Sequence, residues 1–463
     1  MKRFEFPARE TSNQFHRDPK VNRPTEERAS RSQPARRWVS SALVATALLS
    51  GGIAACRGRT TPETGPIRIA TILPATGDLA SDVANWLRGA NMAVQEVNAA
   101  GGPIEGRLVE LIAFDSSSEP RPDITMDAIM RGVVGIIGDA GSGGTLEIYA
   151  AAQRDRIPVG SCCATSPTLT TVNEALPLEN RHFFRAIPSD LEQAKVLARI
   201  TSGMTTGQSH VCSDVSIYFR DDDYGRPFAV ETQVRIGATA TLIPFQPDRT
   251  RTYHDTQITT LHDGTPDCVV LIAYPDEAAL VLSAYYRVAG AMENTVWIGT
   301  DGIRGRSFVT NTDAAAALRD PRCSFFGAAP YSQGTSAEFS DFSRDHQTLY
   351  GLSPEAFVSS TYDVTATMLL GIARAQSTEG PAIMAAIREL DDDAAPSAGP
   401  GELAGAIRAL RSGSLVNYQG ASGSMDVDDL GNVTGDYEVW RVDVSGAIPD
   451  FRQLSVITAA ELR

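Results

Sequence analysis

The chain has 463 residues, of which 42% are hydrophobic, and a formal net charge of -15 at pH 7. Its composition is that of a globular protein able to bury a sizeable core, and its length predicts about three structural units. Lys and Arg outnumber Asp and Glu up to Cys56, so the remainder of the chain is more acidic than the whole. This acidity argues against nucleic acid and anionic membrane surfaces as partners.

Residues 1–56 have the order of an export leader. Arg36 and Arg37 precede an apolar run over 38–55 that ends in small residues before Cys56. A basic region, an apolar region and a small-residue cleavage point are typical of a signal peptide. The alternative is a transmembrane anchor, but the run is rich in Ala, Ser, Gly and Thr, whereas spanning a bilayer requires about 20 predominantly apolar residues.

The end of this leader, Ile53-Ala54-Ala55-Cys56, resembles the bacterial lipobox, in which the cysteine is acylated and becomes the first mature residue. We therefore expect an exported lipoprotein, periplasmic or at the cell surface, that is anchored to the membrane through Cys56. A short polar tether over residues 57–66 follows the anchor.

Five cysteines follow the leader: Cys162, Cys163, Cys212, Cys268 and Cys323. An oxidising compartment permits disulfides, but an odd number leaves at least one thiol. The adjacent pair lacks the C-x-x-C spacing of zinc sites. We interpret these cysteines as small buried residues.

Strand and helix patterns alternate in two consecutive blocks. In the first, strands are predicted over 67–73, 108–114 and 133–138, with a helix whose apolar positions run from Val83 to Val97. In the second, after Pro188, the predicted elements are helices over 191–204 and 277–288, and strands over 215–219, 268–273 and 296–299. Farther on, the sequence predicts a helix over 359–375, a loop over 391–401 and a β-rich region over 415–444. Strands separated by helices indicate parallel sheets, and two blocks of similar size indicate two α/β lobes.

Two loops in the first block suit an anion. Gly138-Asp139-Ala140-Gly141-Ser142-Gly143-Gly144-Thr145 follows a strand and opens a helix, whose free N–H groups point outward. Its spacing is neither G-x-G-x-x-G nor a P-loop, which disfavours a nucleotide, and a tight turn without ligand is the alternative. The second loop, over 161–167, carries hydroxyl groups that suit either an anion or helix capping.

Acidic residues follow two strands of the second block. Asp221-Asp222-Asp223 suits either a cation site or, as we prefer, one helix cap and two solvated carboxylates, and Tyr224 lies at the inner end of this loop. Asp301 lies between glycines at a strand end, where it either receives an ammonium group or makes a turn. The six histidines have no metal-ligand spacing and G-x-S-x-G is absent, so we expect neither an enzyme nor a bound metal or cofactor.

Nine segments in one order resemble the leucine/isoleucine/valine-binding family of ABC-importer solute receptors, over about residues 67–444. They are IRIATILPATGDLA, RGANMAVQEVNAAGG, IPVGSCCATSPTLT, FFRAIPSDLEQA, DDDYG, AYPDEAA, GTDG, STYDVTATM and YQGASGSMDVDDLGNVTGDYEVWRV. The resemblance implies the type I periplasmic-binding fold, with two doubly wound parallel-sheet α/β lobes joined by three crossings near Pro188, Pro330 and Gly435. Lobe 1 then comprises residues 67–187 and 331–434, and lobe 2 comprises 188–330 and 435–463.

The resemblance also implies a ligand site. Its lobe 1 residues are Ser142, Cys163 and Thr165, which hold a carboxylate, and Phe357, which closes the side-chain pocket. Its lobe 2 residues are Tyr224 and Tyr274, which form an aromatic lid, and Asp301, which pairs with an ammonium group. Asp82, with Trp86 nearby, stands where many family members carry an aromatic residue, so a branched aliphatic ligand does not follow.

The function implied is that of an extracytoplasmic solute-binding component of an ABC importer, which captures an amino acid or similar small polar solute. Its expected partners are that ligand and an inner-membrane ABC permease, and the expected state is a monomer. The alternatives are a ligand-sensing receptor of the same fold that regulates a partner protein and, disfavoured by the missing catalytic motifs, a secreted hydrolase.

Overall fold

The computed structural model describes residues 65–463, apart from 77–79, 204–210, 238, 248–250, 293–294 and 332–335. The predicted leader and Cys56 lie outside these residues. The strands, in chain order, are β1 (Ile67–Leu73), β2 (Val109–Asp115), β3 (Val133–Gly138), β4 (Val159–Ser161), β5 (Phe183–Arg185), β6 (Val215–Arg220), β7 (Thr241–Phe245), β8 (Cys268–Ile272), β9 (Val296–Gly299), β10 (Ser324–Pro330), β11 (Ser397–Ala398), β12 (Asn417–Gly420), β13 (Gly423–Ser424), β14 (Tyr437–Asp443) and β15 (Asp450–Ile457).

The helices alternate with these strands through most of the chain. They are α1 (Ala80–Ala99), α2 (Arg121–Met130), α3 (Ser142–Ala152), α4 (Pro167–Glu174), α5 (Asp190–Thr201), α6 (Gly225–Ile236), α7 (Arg251–Asp263), α8 (Pro275–Ala289), α9 (Arg306–Thr310), α10 (Ala315–Leu318), α11 (Ala337–Tyr350), α12 (Val358–Ala375), α13 (Gly380–Ile387) and α14 (Leu403–Arg411). None of the described helices is long and apolar enough to cross a membrane.

Two large sheets organise these elements into two lobes. The first is wholly parallel, in the order β2-β1-β3-β4-β5. The second has the order β15-β14-β10-β9-β8-β6-β7, in which β6 to β10 are parallel and β14 and β15 are added antiparallel at one edge. The predicted fold class, two α/β lobes with parallel sheets, is confirmed, and the late β-rich segment supplies the antiparallel edge.

The chain returns to the first sheet after building most of the second. Residues of α12, α13 and α14 share one hydrophobic core with β1 and α1, and α12 is buried over nearly its whole length. Two further cores cover the faces of the second sheet, and β14 contributes to both. We therefore propose lobe boundaries at 67–187 with 331–434, and at 188–330 with 435–463.

Several sequence predictions need correction. The cysteines are more than small buried residues, because Cys162 bonds to Cys163 and Cys212 bonds to Cys268, whereas Cys323 is a free thiol. The helix cap left unassigned within Asp221-Asp222-Asp223 is Asp222, which accepts hydrogen bonds from the N–H groups of residues 224 and 225 where α6 begins. The loop predicted over 391–401 contains the short strand β11.

Candidate functional site

A cavity of about 480 Å³ lies between the two lobes, within the size range of small-molecule sites. Lobe 1 contributes residues from α1, from the loops after β3 and β4, and from the segment before α12: Asp82, Trp86, Ala140, Ser142, Cys163, Thr165 and 352–357. Lobe 2 contributes residues after β6, β8 and β9 and at the start of β15: Tyr224, Tyr274, Pro275, Asp301, Gly302, Arg304, Gly305, Arg306, Asp450 and Phe451.

All seven residues predicted from the family resemblance to bind ligand line this cavity. The structure thus brings together, from both lobes, Ser142, Cys163, Thr165, Tyr224, Tyr274, Asp301 and Phe357. The loops that carry most of them follow parallel strands, whose carboxyl ends share one edge of each sheet. Direct contact of these side chains with a ligand stays a prediction.

The lobe 1 wall is built from the start of α3 and the loop after β4. The Ser142 hydroxyl accepts a hydrogen bond from the Ser166 N–H at 3.3 Å, which leaves its own hydrogen to donate. The first turn of α3 also presents N–H groups that have no acceptor within the helix. Hydroxyl and N–H donors together make this wall suitable for a carboxylate.

Hydrogen bonds from Ser161 and Arg185 hold the loop after β4 in place. The Ser161 hydroxyl donates to the Asp139 carbonyl at 2.9 Å and accepts from the N–H groups of Cys163 and Ala164. The buried Arg185 donates to the carbonyls of residues 164 and 166 at 3.2 and 3.1 Å. Burial lowers the pKa of Arg185 to about 10, which leaves it charged at neutral pH. The disulfide between Cys162 and Cys163 restricts the same loop.

A close approach within lobe 1 explains why residue 144 is glycine. A Cβ on Gly144 would lie 2.2 Å from the Asp139 carboxylate and 2.4 Å from Arg121 Nε. These two side chains form an ion pair at 2.7 Å, in which the carboxylate is buried. Only glycine therefore allows α3 to pack against this pair.

The lobe 2 wall consists of two stacked tyrosines and a buried carboxylate. The rings of Tyr224 and Tyr274 are parallel, with centroids 5.5 Å apart. The Tyr224 hydroxyl donates to Asp301 Oδ1 at 2.9 Å and also lies 3.0 Å from the Thr300 hydroxyl. Arg220 stacks on Tyr274 at 3.9 Å and is held by Glu277 and Asp222, each at 2.7 Å. The tyrosines are thus supported on the side away from the cavity.

Asp301 is 3% exposed. Burial raises the pKa of its carboxyl to about 6, against the hydrogen bonds from Tyr224 and nearby backbone groups. It is therefore ionised at neutral pH but poorly solvated, and a buried carboxylate of this kind favours a cation or a hydrogen-bond donor beside it.

Asp190, at the start of α5, is a fully buried carboxylate next to the cavity lining that the sequence analysis did not identify. Its N–H donates to the Thr165 carbonyl at 3.0 Å, which links lobe 2 to the loop after β4 in lobe 1. Burial and the charge of Asp301 raise the pKa of Asp190 well above its usual value. Two carboxylates thus lie buried close together beneath the cavity. The segment FFRAIPSDLEQA contains Asp190, but no local sequence pattern marks this residue as a functional carboxylate.

In the Asp221-Asp222-Asp223 segment the structure shows the helix cap that the sequence analysis preferred to a cation site, although Asp221 is paired and not simply solvated. Asp222 pairs with Arg220 and caps α6, and Asp221 pairs with Arg226. Across residues 65–463, wherever the structure is described, no cluster of three His, Cys, Asp or Glu side chains has the arrangement of a metal site.

Comparison with known proteins agrees with this architecture. A family model described as periplasmic binding protein matches residues 66–415. The chemotactic signal transduction system substrate-binding protein BasB of Halobacterium salinarum is 24% identical over 377 residues, which cover 78% of this chain and 83% of the relative.

Two solved structures share the fold. The leucine-binding protein LivK of Thermotoga maritima is 20% identical with a TM-score of 0.67, and the match covers 85% of this chain and 99% of LivK. The branched-chain amino acid transporter substrate-binding protein LivJ of Streptococcus pneumoniae, in complex with isoleucine, is 20% identical with a TM-score of 0.62, over 84% and 99% of the two chains. The chain therefore belongs to the periplasmic binding protein family, and the resemblance of its motifs to the leucine/isoleucine/valine-binding proteins is confirmed.

Proposed function

We propose that this protein is the extracytoplasmic solute-binding component of an ABC importer and that it captures an α-amino acid or a similar small zwitterion between its lobes. The observation that carries the proposal is that the two walls of one cavity have opposite chemical character. Lobe 1 presents hydroxyl and N–H donors around Ser142, and lobe 2 presents the buried carboxylate of Asp301. A zwitterion satisfies both walls at once.

The relatives support this assignment. LivK is named for leucine, and the LivJ structure contains isoleucine, so two proteins of this fold bind α-amino acids. We propose the same ligand class here, held by Ser142, Thr165 and backbone groups at the carboxylate, and by Asp301 at the ammonium group. Tyr224 and Tyr274 then cover the ligand, and Cys163 contributes through its main chain. The protein acts by binding and release, without catalysis.

The test is calorimetric titration of the purified mature protein with each of the twenty amino acids. We expect one ligand molecule per chain, with a Kd near the micromolar range, which corresponds to about -8 kcal/mol. Binding of sugars or nucleotides alone would contradict the site assignment. Turnover of an ester or amide would instead favour the secreted hydrolase.

A second candidate function is ligand sensing for a partner protein. The observation that favours it is the similarity to BasB, a substrate-binding protein of a chemotactic signal transduction system. Deletion of the gene separates the two functions. Loss of ligand uptake indicates the importer, whereas loss of a behavioural or regulatory response with normal uptake indicates the sensor.

We further propose that the mature protein is a monomer anchored to the membrane by acylation of Cys56, next to an inner-membrane ABC permease. The lipobox-like residues before Cys56 support the anchor. Mass spectrometry of the native protein is expected to show an N-terminus at Cys56 that carries acyl chains. An intact Met1 or an unlipidated soluble product would exclude it.

A further inference from the structure

One wall of the cavity carries acidic charge that the zwitterion scheme does not use. Asp82 lies one turn before Trp86 on α1, so the two side chains share a helix face, and both line the cavity. The indole Nε1 of Trp86 donates to the Ala356 carbonyl at 3.1 Å, and its ring meets Phe357 edge-on with centroids 6.2 Å apart. Asp82 is therefore placed beside the aromatic residues that close the predicted side-chain pocket.

Two more carboxylates face Asp82, one from each lobe. Glu355 comes from the segment before α12 in lobe 1, and Asp276 comes from the first turn of α8 in lobe 2. Partial burial and the charges of these two neighbours raise the pKa of Asp82 to about 6. Within the part of the chain that the structure describes, no ion pair neutralises any of the three.

The cationic residues of the cavity do not offset this charge. Arg304 is engaged by Glu438 at 2.9 Å and stacks on Phe451 at 4.3 Å. Arg306 is exposed to solvent. Like charges carried by opposite lobes disfavour their approach, and a cation placed between them removes that cost.

We propose that the side chain of the ligand carries a positive charge, a guanidinium or an ammonium group, which Asp82 and Glu355 receive against the faces of Trp86 and Phe357. This inference rests on the proposed function, because it assumes that Ser142 and Asp301 hold the α-carboxylate and α-ammonium groups. Carboxylates and aromatic rings both attract such a cation, and Asp82 is the residue that sets the preference. The ligand is then a basic amino acid instead of a branched aliphatic one.

The experiment compares ligand pairs of nearly equal shape that differ in charge. Calorimetry with the full mature protein uses L-arginine against L-citrulline, and L-lysine against L-norleucine. We expect the charged member of each pair to bind at least tenfold more tightly to the wild type. In Asp82→Asn this preference is expected to fall below about threefold, because arginine loses more affinity than citrulline does.

The control variant is Asp123→Asn, which removes an exposed lobe 1 carboxylate of α2 and is expected to keep the full preference. Equal or tighter binding of citrulline and norleucine to the wild type overturns the charge preference but leaves the proposed amino-acid binding intact. Binding of no amino acid at all overturns both. An equal loss of arginine and citrulline binding in Asp82→Asn shows a structural role for Asp82 and overturns its assignment.

Discussion

Replacing Asp301 by alanine is expected to weaken amino-acid binding by about 3–5 kcal/mol, or roughly two to three and a half orders of magnitude in Kd. The carboxylate is 3% exposed and accepts a hydrogen bond from Tyr224, so it is fixed in the wall of the cavity. Without it, the ligand's ammonium group is transferred out of water and left without an anionic partner. The loss is therefore that of an uncompensated buried charge rather than that of one hydrogen bond.

The assay is calorimetric titration of wild type, Asp301→Ala and Asp301→Asn with the tightest amino-acid ligand. Asn keeps the size of the side chain and removes its charge, so we expect it to lose most of the same affinity. The control is Asp320→Asn, a lobe 2 carboxylate outside the cavity lining, which is expected to bind normally. Undiminished affinity in Asp301→Ala would refute the role of Asp301.

The same carboxylate predicts a pH dependence. Because burial raises the pKa of Asp301 to about 6, it is ionised at pH 7 and largely protonated at pH 5. The ammonium group requires the ionised form, so affinity is lost as pH falls through about 6, and we expect about tenfold weaker binding at pH 5 than at pH 7. The comparison uses an amino acid with an uncharged side chain. Asp301→Asn should lack this titration, and a wild-type affinity that is constant over this range would contradict it.

Three further tests concern residues that support the site or the stability of the fold. Tyr224→Phe removes the donor to Asp301 and is expected to weaken binding by about 1–3 kcal/mol, measured by calorimetry. Gly144→Ala is expected to lower the free energy of unfolding by about 1–3 kcal/mol in a urea titration, because the methyl group overlaps the ion pair of Arg121 with the buried Asp139. Unchanged stability would show that α3 shifts freely. Replacing Cys212 and Cys268 together by serine is expected to cost about 2–4 kcal/mol of stability and little affinity, since their disulfide closes a long loop outside the cavity.

Much of the fold follows from local sequence patterns. The strands after Pro188 and the amphipathic α1 have strong periodicity, and their predicted bounds differ from the structure by at most three residues, with β9 predicted at its observed bounds. The ligand-site loops were predictable because parallel strands place their carboxyl ends together. A sequence pattern does not reveal which distant segments return to the first lobe, and α12 reaches it only after the second sheet is largely complete.

The parts of the site that the sequence did not predict are those that depend on tertiary proximity. Cys162 and Cys163 look like any small buried residues until the loop after β4 brings their sulfur atoms together. Asp190 and Arg185 carry no motif of their own, yet one links the lobes and the other holds the loop carbonyls. Burial, which gives both residues their role, is a property of the packed lobes and not of the local sequence.

From the arrangement of charge, we expect ligand binding and lobe closure to be coupled. The two lobes approach each other closely at Gly141 and Tyr274, because a Cβ placed on Gly141 would lie 3.3 Å from the Tyr274 hydroxyl. A closed cleft keeps Asp301 of lobe 2 out of water, and a buried carboxylate without a cationic partner is costly, which opposes closure in the absence of ligand. Under the proposed function, the ligand's ammonium group offsets that cost at Asp301, while its carboxylate engages Ser142 on the other lobe. We therefore expect a ligand with both charges to bind the closed arrangement better than the open one, and a difference in affinity of this kind drives closure.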